Sequence, residues 1–374
     1  MPLWLLFLGL LLLPIGLSLV YLIRSVHRFS WSSALFCGKR KLSWLLSALF
    51  VLLPAVVFSL LWGAINAVVI LLHLVLFWLL FSGLQRGIAR LRKRSFSRNY
   101  AAALAVVVTA AYLAVGWAQA YRVRQTDYTI QTGKPVGSLR IALLADSHVG
   151  TTFDGDGLAA HLRKLQAQDP DVIVVAGDFV DEDTTWADMI AACRSLGTLK
   201  APYGVYFVFG NHDKGNYAQG RRGFTADDLM RELEKNGVTI LQDETVPLGD
   251  HFCLIGRQDA SEEDYGSGRK SMAELTQGLD EDRFTIVLDH QPHDYAAQEA
   301  ASVDLVLSGH THGGQLIPLV QLIDWFHLGG DDQVYGLEQR GNTRFLVTSG
   351  ISDWAIRFKT GCFSEYVIID VEGK

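Results

Sequence analysis

Four uncharged, apolar segments near the N-terminus constrain the fold of this chain more than any other feature. They cover residues 3–23, 42–61, 64–84 and 100–120. A helix needs about 20 such residues to cross the hydrocarbon core of a bilayer, where every backbone polar group has to be paired within the segment. We therefore predict an all-α transmembrane domain of about four helices over residues 1–121.

Basic side chains are concentrated in two of the connections between these segments. Residues 24–41 contain five Lys or Arg, residues 86–98 contain six, and the short connection around Gly63 contains none. Basic loops stay in the cytoplasm, so four spans put the N-terminus and the C-terminal domain on the opposite side. We predict a multi-pass membrane protein with an extracytoplasmic C-terminal domain. One span more or fewer reverses this orientation.

The charge of the chain differs sharply between its two parts. All 39 acidic residues, but only 20 of the 33 Lys and Arg, lie in residues 127–374, which gives that part a formal charge of −19. A nucleic-acid partner requires a basic face. We therefore expect no nucleic-acid partner, and we expect contact with membrane lipids through the N-terminal part.

The four cysteines show no C-x-x-C spacing, which argues against a zinc knuckle or a thioredoxin-like motif. We expect ordinary buried thiols. A disulfide among Cys193, Cys253 and Cys362 stays open, because an extracytoplasmic domain permits one.

From residue 139 the chain alternates short apolar runs with amphipathic segments, which is typical of an α/β fold. The runs are LRIALLA, DVIVVA, GVYFVF, FTIVL, DLVL and TRFLVTS. Helices are predicted over residues 157–168 and 225–236, and a third around Met189 and Cys193. Residues 259–278 are predicted to form a polar loop beside the site. We assign residues 122–138 to a linker and residues 139–374 to the α/β domain.

Each of the first five apolar runs leads directly into residues of the types that can bind metals. These side chains are Asp146 and His148, Asp178 and Asp181, Asn211 with His212 and Asp213, His290, and His310 and His312. The carboxyl ends of strands in an open α/β sheet are where ligands bind, so we expect one shared site. Carboxylate and amide oxygens together with imidazoles suit two divalent ions such as manganese, iron or zinc.

The ordered motifs D-x-H, G-D-x-x-D, G-N-H-D, His and G-H-x-H resemble those of the calcineurin-like metallophosphoesterase family, over residues 139–370. The segments SGHTHGGQ, DHQP and SGISDWAIRF look like the membrane-anchored bacterial branch. The resemblance implies a four-layer α/β/β/α sandwich with a dinuclear metal centre at its rim.

The resemblance also implies a role for each residue of the motifs. The first metal is held by Asp146, His148 and His312, the second by Asn211, His290 and His310, and Asp178 bridges both. His212 faces the leaving group as a proton donor or cation, and Asp213 orients it. Asp181 positions a histidine or a backbone turn from the outer layer of the site.

The predicted function is hydrolysis of a phosphate mono- or diester at the membrane surface. The membrane anchor favours an envelope or lipid-linked substrate, and the anion-binding candidates are Arg221, Arg222 and Arg357. A catalytically silent, membrane-anchored binding or scaffold protein with the same fold is the alternative. Proteins of that kind usually lose ligands, whereas every ligand position is filled here.

Overall fold

The computed structural model describes residues 3–28, 40–96, 98–218, 221–266, 268–317 and 330–374. The chain divides into two compact units, Met1–Val115 and Gly116–Lys374. The division falls within the last long helix, so the end of that helix belongs to the second unit. The domain boundaries given above remain predictions.

The first unit is helical. Its helices are α1 (Leu3–His27), α2 (Arg40–Trp62), α3 (Ala64–Leu91) and α4 (Tyr100–Tyr121). In the part of the chain that the structure describes, α2, α3 and α4 are long and apolar enough to cross a membrane. The side chains of α1 are described from Leu12, and Leu12–His27 is a shorter apolar helix. These helices support membrane association, and the fourth span stays a prediction.

The described residues of the second unit form two six-stranded sheets. The first sheet has the order β1-β12-β2-β3-β4-β5. Strands β2 to β5 run parallel, whereas β12 lies antiparallel to β2 and parallel to β1. The strands of this sheet are β1 (Arg124–Gln131), β2 (Ser138–Leu144), β3 (Val172–Ala176), β4 (Val205–Val208), β5 (Thr239–Ile240) and β12 (Glu365–Glu372).

The second sheet has the order β10-β11-β9-β8-β7-β6. Its central strands β11, β9, β8 and β7 are parallel, and the two edge strands are antiparallel to their neighbours. The strands are β6 (Glu244–Leu248), β7 (Phe252–Gly256), β8 (Phe284–Leu288), β9 (Leu305–Ser308), β10 (Gly336–Arg340) and β11 (Thr343–Val347).

Hydrophobic cores separate four layers of structure in this unit. The core between the sheets joins residues such as Leu143 and Val174 of the first sheet to Leu254 and Ile286 of the second. Two further cores lie between the outer sheet faces and the helices. The helices are α5 (Gly155–Gln166), α6 (Trp186–Leu196), α7 (Ala226–Lys235), α8 (Glu262–Tyr265), α9 (Met272–Leu275) and α10 (Tyr295–Ala300). The predicted α/β/β/α sandwich is confirmed.

The six apolar runs singled out in the sequence all form strands. Strands β3, β8 and β9 are buried throughout, as expected for parallel strands covered on both faces. Strands β2, β4 and β11 are mostly buried, and Arg140 of β2 is exposed. The segment 259–278 is not entirely a loop, since the four-residue helices α8 and α9 lie within it. Cys193, Cys253 and Cys362 are buried free thiols, so the structure contains no disulfide among them. Cys37 lies outside the described residues.

Candidate metal centre

The candidate ligands come together at the carboxyl ends of five strands. Those strands are β2, β3 and β4 of the first sheet and β8 and β9 of the second. The ligating atoms form two groups, and within each group all of them lie within 4.8 Å of one another. One group contains Asp146, His148 and His312, and the other contains Asp178, His290 and His310.

The carboxylate of Asp178 lies between the two groups. Its Oδ2 is 3.1 Å from Nε2 of His290 in one group and 3.6 Å from Nε2 of His148 in the other. Its Oδ1 accepts a hydrogen bond of 2.9 Å from the backbone N–H of His212. Asp178 therefore occupies the position expected of a bridging ligand.

Asn211 completes the group around His290. Its Oδ1 is 3.2 Å from Nε2 of His290 and 2.9 Å from Nδ1 of His310. Nδ1 of His290 donates to the carbonyl of Ala176 at 2.7 Å, which leaves Nε2 as the nitrogen available to a cation. Three potential ligand atoms from three strand ends thus converge.

Asp181 lies behind the other group. Its Oδ2 is 3.3 Å from Nδ1 of His148 and accepts a hydrogen bond from the hydroxyl of Thr151. Nε2 of His148 is buried without a hydrogen-bond partner among the described residues. A buried polar atom of this kind needs a partner, and a cation would supply one. Asp181 thus contacts a candidate ligand from outside the group, and its role in positioning that histidine stays a prediction.

The site is held in an uncommon backbone conformation. Of the twelve described non-glycine residues with positive φ, five are candidate ligands. They are Asp146, Asp178, His148, His310 and His312. Such conformations cost about 1–3 kcal/mol each and persist where the surroundings enforce them. Short turns after the strands therefore aim these side chains at a common point.

The protonation of the site depends on its burial. Asp146 and Asp178 are fully buried, and burial raises the pKa of Asp146 to about 6. Burial also acts to raise the pKa of Asp178, but His290 and His148 hold it well below its ordinary value. Burial lowers the pKa of His310 to about 4 and places that of His312 well below its usual range. Both imidazoles are therefore neutral, which is the form that binds metals.

The donor set fits divalent cations. Buried carboxylates need compensating positive charge. Burial acts to lower the pKa of His290, but the carboxylates of Asp178 and Asp146 raise it well above its ordinary value. The carboxylates of the site therefore favour positive charge close to them. Oxygen ligands mixed with imidazoles are typical of sites for manganese, iron or zinc.

Glu182, which the sequence analysis missed, is the carboxylate beside His212. Its Oε1 is 2.6 Å from Nδ1 of His212. The predicted partner Asp213 instead accepts hydrogen bonds from the backbone N–H groups of Phe179, Val180 and Gly210, at 2.7–3.0 Å. Asp213 therefore links the turns after β3 and β4, and its role in orienting His212 stays a prediction. Glu182 follows Asp181 directly in GDFVDED, and only folding shows which acid faces the imidazole.

The three predicted anion-binding arginines lie in different environments. Arg222 is buried, and its guanidinium donates to the carbonyls of His212 and Phe224 at 3.2 and 3.3 Å. These two hydrogen bonds support the loop that follows His212, and a contact of Arg222 with substrate stays a prediction. Arg221 and Arg357 are exposed, and their contact with substrate stays a prediction.

Aromatic side chains surround His212. Its ring centroid is 5.1 Å from those of Tyr217 and Trp354. Tyr217 is 36% exposed and Trp354 is 43% exposed, so both line the open side of the site. Neither residue was given a role from the sequence, although Trp354 lies within the quoted segment SGISDWAIRF.

Comparison with known proteins places this architecture in a family. Residues 139–314 match the family model described as calcineurin-like phosphoesterase. An uncharacterized metallophosphoesterase of Aquifex aeolicus is 32% identical over 202 residues, which are 53% of this chain and 73% of that protein. The fold and its cluster of carboxylate, amide and imidazole groups are those of a metal-dependent α/β sandwich. The chain belongs to the calcineurin-like metallophosphoesterase family.

Two longer relatives match as well. An uncharacterized metallophosphoesterase of Campylobacter jejuni is 31% identical over 240 residues, covering 63% of this chain and 60% of the relative. A Bos taurus protein named transmembrane protein with metallophosphoesterase domain is 31% identical over 280 residues, covering 70% of this chain and 60% of the relative. This chain thus spans about three fifths of the length of these curated relatives.

Replacing Gly210 by alanine tests the packing of the site. An added Cβ would lie 2.2 Å from Oδ1 and 2.4 Å from the backbone nitrogen of Asp178. We expect Gly210→Ala to displace Asp178 and to weaken manganese binding at least about ten-fold, measured by metal analysis after equilibrium dialysis. In the control Gly223→Ala the new Cβ has no atom within 4 Å. Equal metal binding by both variants would contradict this account of the site.

Proposed function

We propose that this protein hydrolyses phosphate mono- or diesters at a centre of two divalent metal ions. The observation that supports this most strongly is the position of Asp178, whose Oδ2 lies 3.1 Å from His290 and 3.6 Å from His148. A carboxylate between two groups of ligands is what a pair of closely spaced ions requires. The ions would be held by Asp146, His148 and His312, by Asn211, His290 and His310, and by Asp178 between them.

When bound, two such ions would neutralise phosphate oxygens and lower the pKa of a coordinated water. The contribution of this chain is to orient the groups around them. Nδ1 of His212 faces Glu182, so its Nε2 is left for the leaving-group oxygen, to which it donates a proton. Tyr217 and Trp354 border His212 and restrict the access of water on that side.

We further propose that the substrate is lipid-linked or part of the cell envelope. The helix α4 ends at Tyr121 and β1 begins at Arg124, so the catalytic unit follows a candidate membrane helix almost directly. Such a connection favours substrates at the bilayer surface. Manganese, iron and zinc all suit the ligand set.

Removing one ligand tests the proposed reaction. We expect Asn211→Ala to lower manganese-dependent turnover of p-nitrophenyl phosphate or bis(p-nitrophenyl) phosphate by at least about 100-fold, because one ion loses an oxygen ligand. Metal analysis of the same samples should show about half of the metal content. The exposed Asn342, in the turn between β10 and β11, provides the matched control Asn342→Ala. Unchanged turnover in Asn211→Ala would favour a scaffold that keeps the fold without its chemistry.

The contact between Glu182 and His212 predicts a positioning effect. We expect Glu182→Gln to reduce kcat roughly 10–100-fold with unchanged metal content, because the His212 ring loses its charged partner. Glu263→Gln is the control, since the side chain of Glu263 is 64% exposed. A parallel loss of metal would assign Glu182 to the ligand shell instead, and full activity would remove it from the mechanism.

The proposed extracytoplasmic location of the catalytic unit is tested by reporter fusions. A C-terminal fusion to a phosphatase that folds only outside the cytoplasm should be active, and a C-terminal fusion to a fluorescent protein that folds only inside should be dark. Fusions placed after Phe96, in the second basic loop, should show the reverse. A fluorescent C-terminal fusion would place the active site in the cytoplasm and overturn the proposed orientation.

A further inference from the structure

The helical unit contains a large apolar cavity. Its volume is about 910 Å³, within the range of roughly 300–1,000 Å³ that is typical of small-molecule sites. It lies between α1, α2, α3 and α4, and its lining includes Leu22, Phe50, Pro54, Leu74, Trp78 and Val106. An apolar cavity in a membrane-associated bundle is suited to hydrocarbon chains.

A second, polar cavity of about 490 Å³ adjoins the first. Trp78 and Asn99 line both, so the apolar and polar spaces lie side by side. The polar lining includes the basic side chains Arg28 and Arg86, together with hydroxyl and amide groups of Ser25, Ser82 and Gln85. The two cavities together place an apolar space beside a cationic one.

The charge of this unit favours an anion. The first 126 residues of the sequence contain no Asp or Glu, so no carboxylate of this unit neutralises Arg28 or Arg86. Arg86 uses Nε on the carbonyl of Ser82, at 3.0 Å, and its terminal nitrogens are the remaining donors. Guanidinium groups bind phosphate oxygens well, because their planar N–H groups match the phosphate geometry.

We propose that these two cavities form a single binding site for a diacyl phospholipid with an anionic head group. The acyl chains occupy the apolar cavity and the phosphate contacts Arg28 and Arg86. Basic pockets between membrane helices bind anionic lipid head groups on the cytoplasmic side. The site is separate from the metal centre, since all of its lining residues precede residue 107, and it does not depend on the proposed hydrolysis.

Lipid titration of the purified full-length chain in detergent tests the polar part of the site. We expect native mass spectrometry to show one bound phosphatidylglycerol at concentrations where phosphatidylcholine with the same chains is at least about ten-fold less bound. The double variant Arg28→Ala, Arg86→Ala should lose this preference. The control Arg90→Ala, Lys93→Ala removes the same charge from exposed residues that do not line the cavity. Equal loss in both double variants, or no preference in the unmodified chain, would overturn the proposal.

Filling the apolar cavity tests the other part. Ala103 lines the cavity, and Ala110 on the same helix does not. We expect Ala103→Phe to reduce phosphatidylglycerol binding about ten-fold or more, and Ala110→Phe to leave it unchanged, with equal thermal melting of both variants as the check on folding. Retained binding in Ala103→Phe would exclude the apolar cavity as the site of the acyl chains.

Repeating the titration with Asn211→Ala separates this site from the proposed enzyme activity, since lipid binding should persist in that variant.

Discussion

The burial of two carboxylates among imidazoles is the constraint on which the rest of the second unit depends. Asp146 and Asp178 are removed from solvent at the edge where both sheets end. Taking charged groups out of water is costly unless opposite charge compensates them. Divalent cations would provide this compensation. The surrounding imidazoles and the amide of Asn211 are the other groups that could bind them, and turns with positive φ hold several of these side chains in place. If the fold did not hold Asp146 and Asp178 close to positive charge, the free-energy cost of burying their carboxylates would not be offset.

The groups around the site act mainly on backbone segments. Asp213 fixes the turns after β3 and β4 through three N–H groups. On the opposite side, the buried Nζ of Lys359 donates to the carbonyls of Ser349 and Ser352 at 2.7 and 3.0 Å. The carbonyl of Ser352 lies 3.4 Å from Nδ1 of His312, so this lysine supports a candidate ligand indirectly. Lys359 also joins this loop to the end of α4, because its backbone N–H donates to the carbonyl of Gly116.

The sequence predicted the central part of the fold well and its edges poorly. The six apolar runs are central or buried strands, and their identity follows from local composition. The edge strand β1 and the long strand β12 were not anticipated, although β12 lies between β1 and β2. Their pairing joins Arg124 to Glu365, far apart in the sequence, and no local pattern encodes such a register. The antiparallel pairs β6–β7 and β10–β11 were missed for the same reason.

The sequence by itself determined which residues are available as ligands, because strand ends are marked by apolar runs and the ligand types follow them directly. It also determined the family, through the order of five short motifs. Only the tertiary structure decided which groups these side chains contact. Asp178 lies between the two groups of ligands, and Glu182 rather than Asp213 faces the ring of His212. Arg222 donates to the backbone of the loop beside it. Motif spacing fixes the order of residues along one chain. The direction in which each side chain points depends on how separate segments pack, and that is settled by contacts distant in sequence.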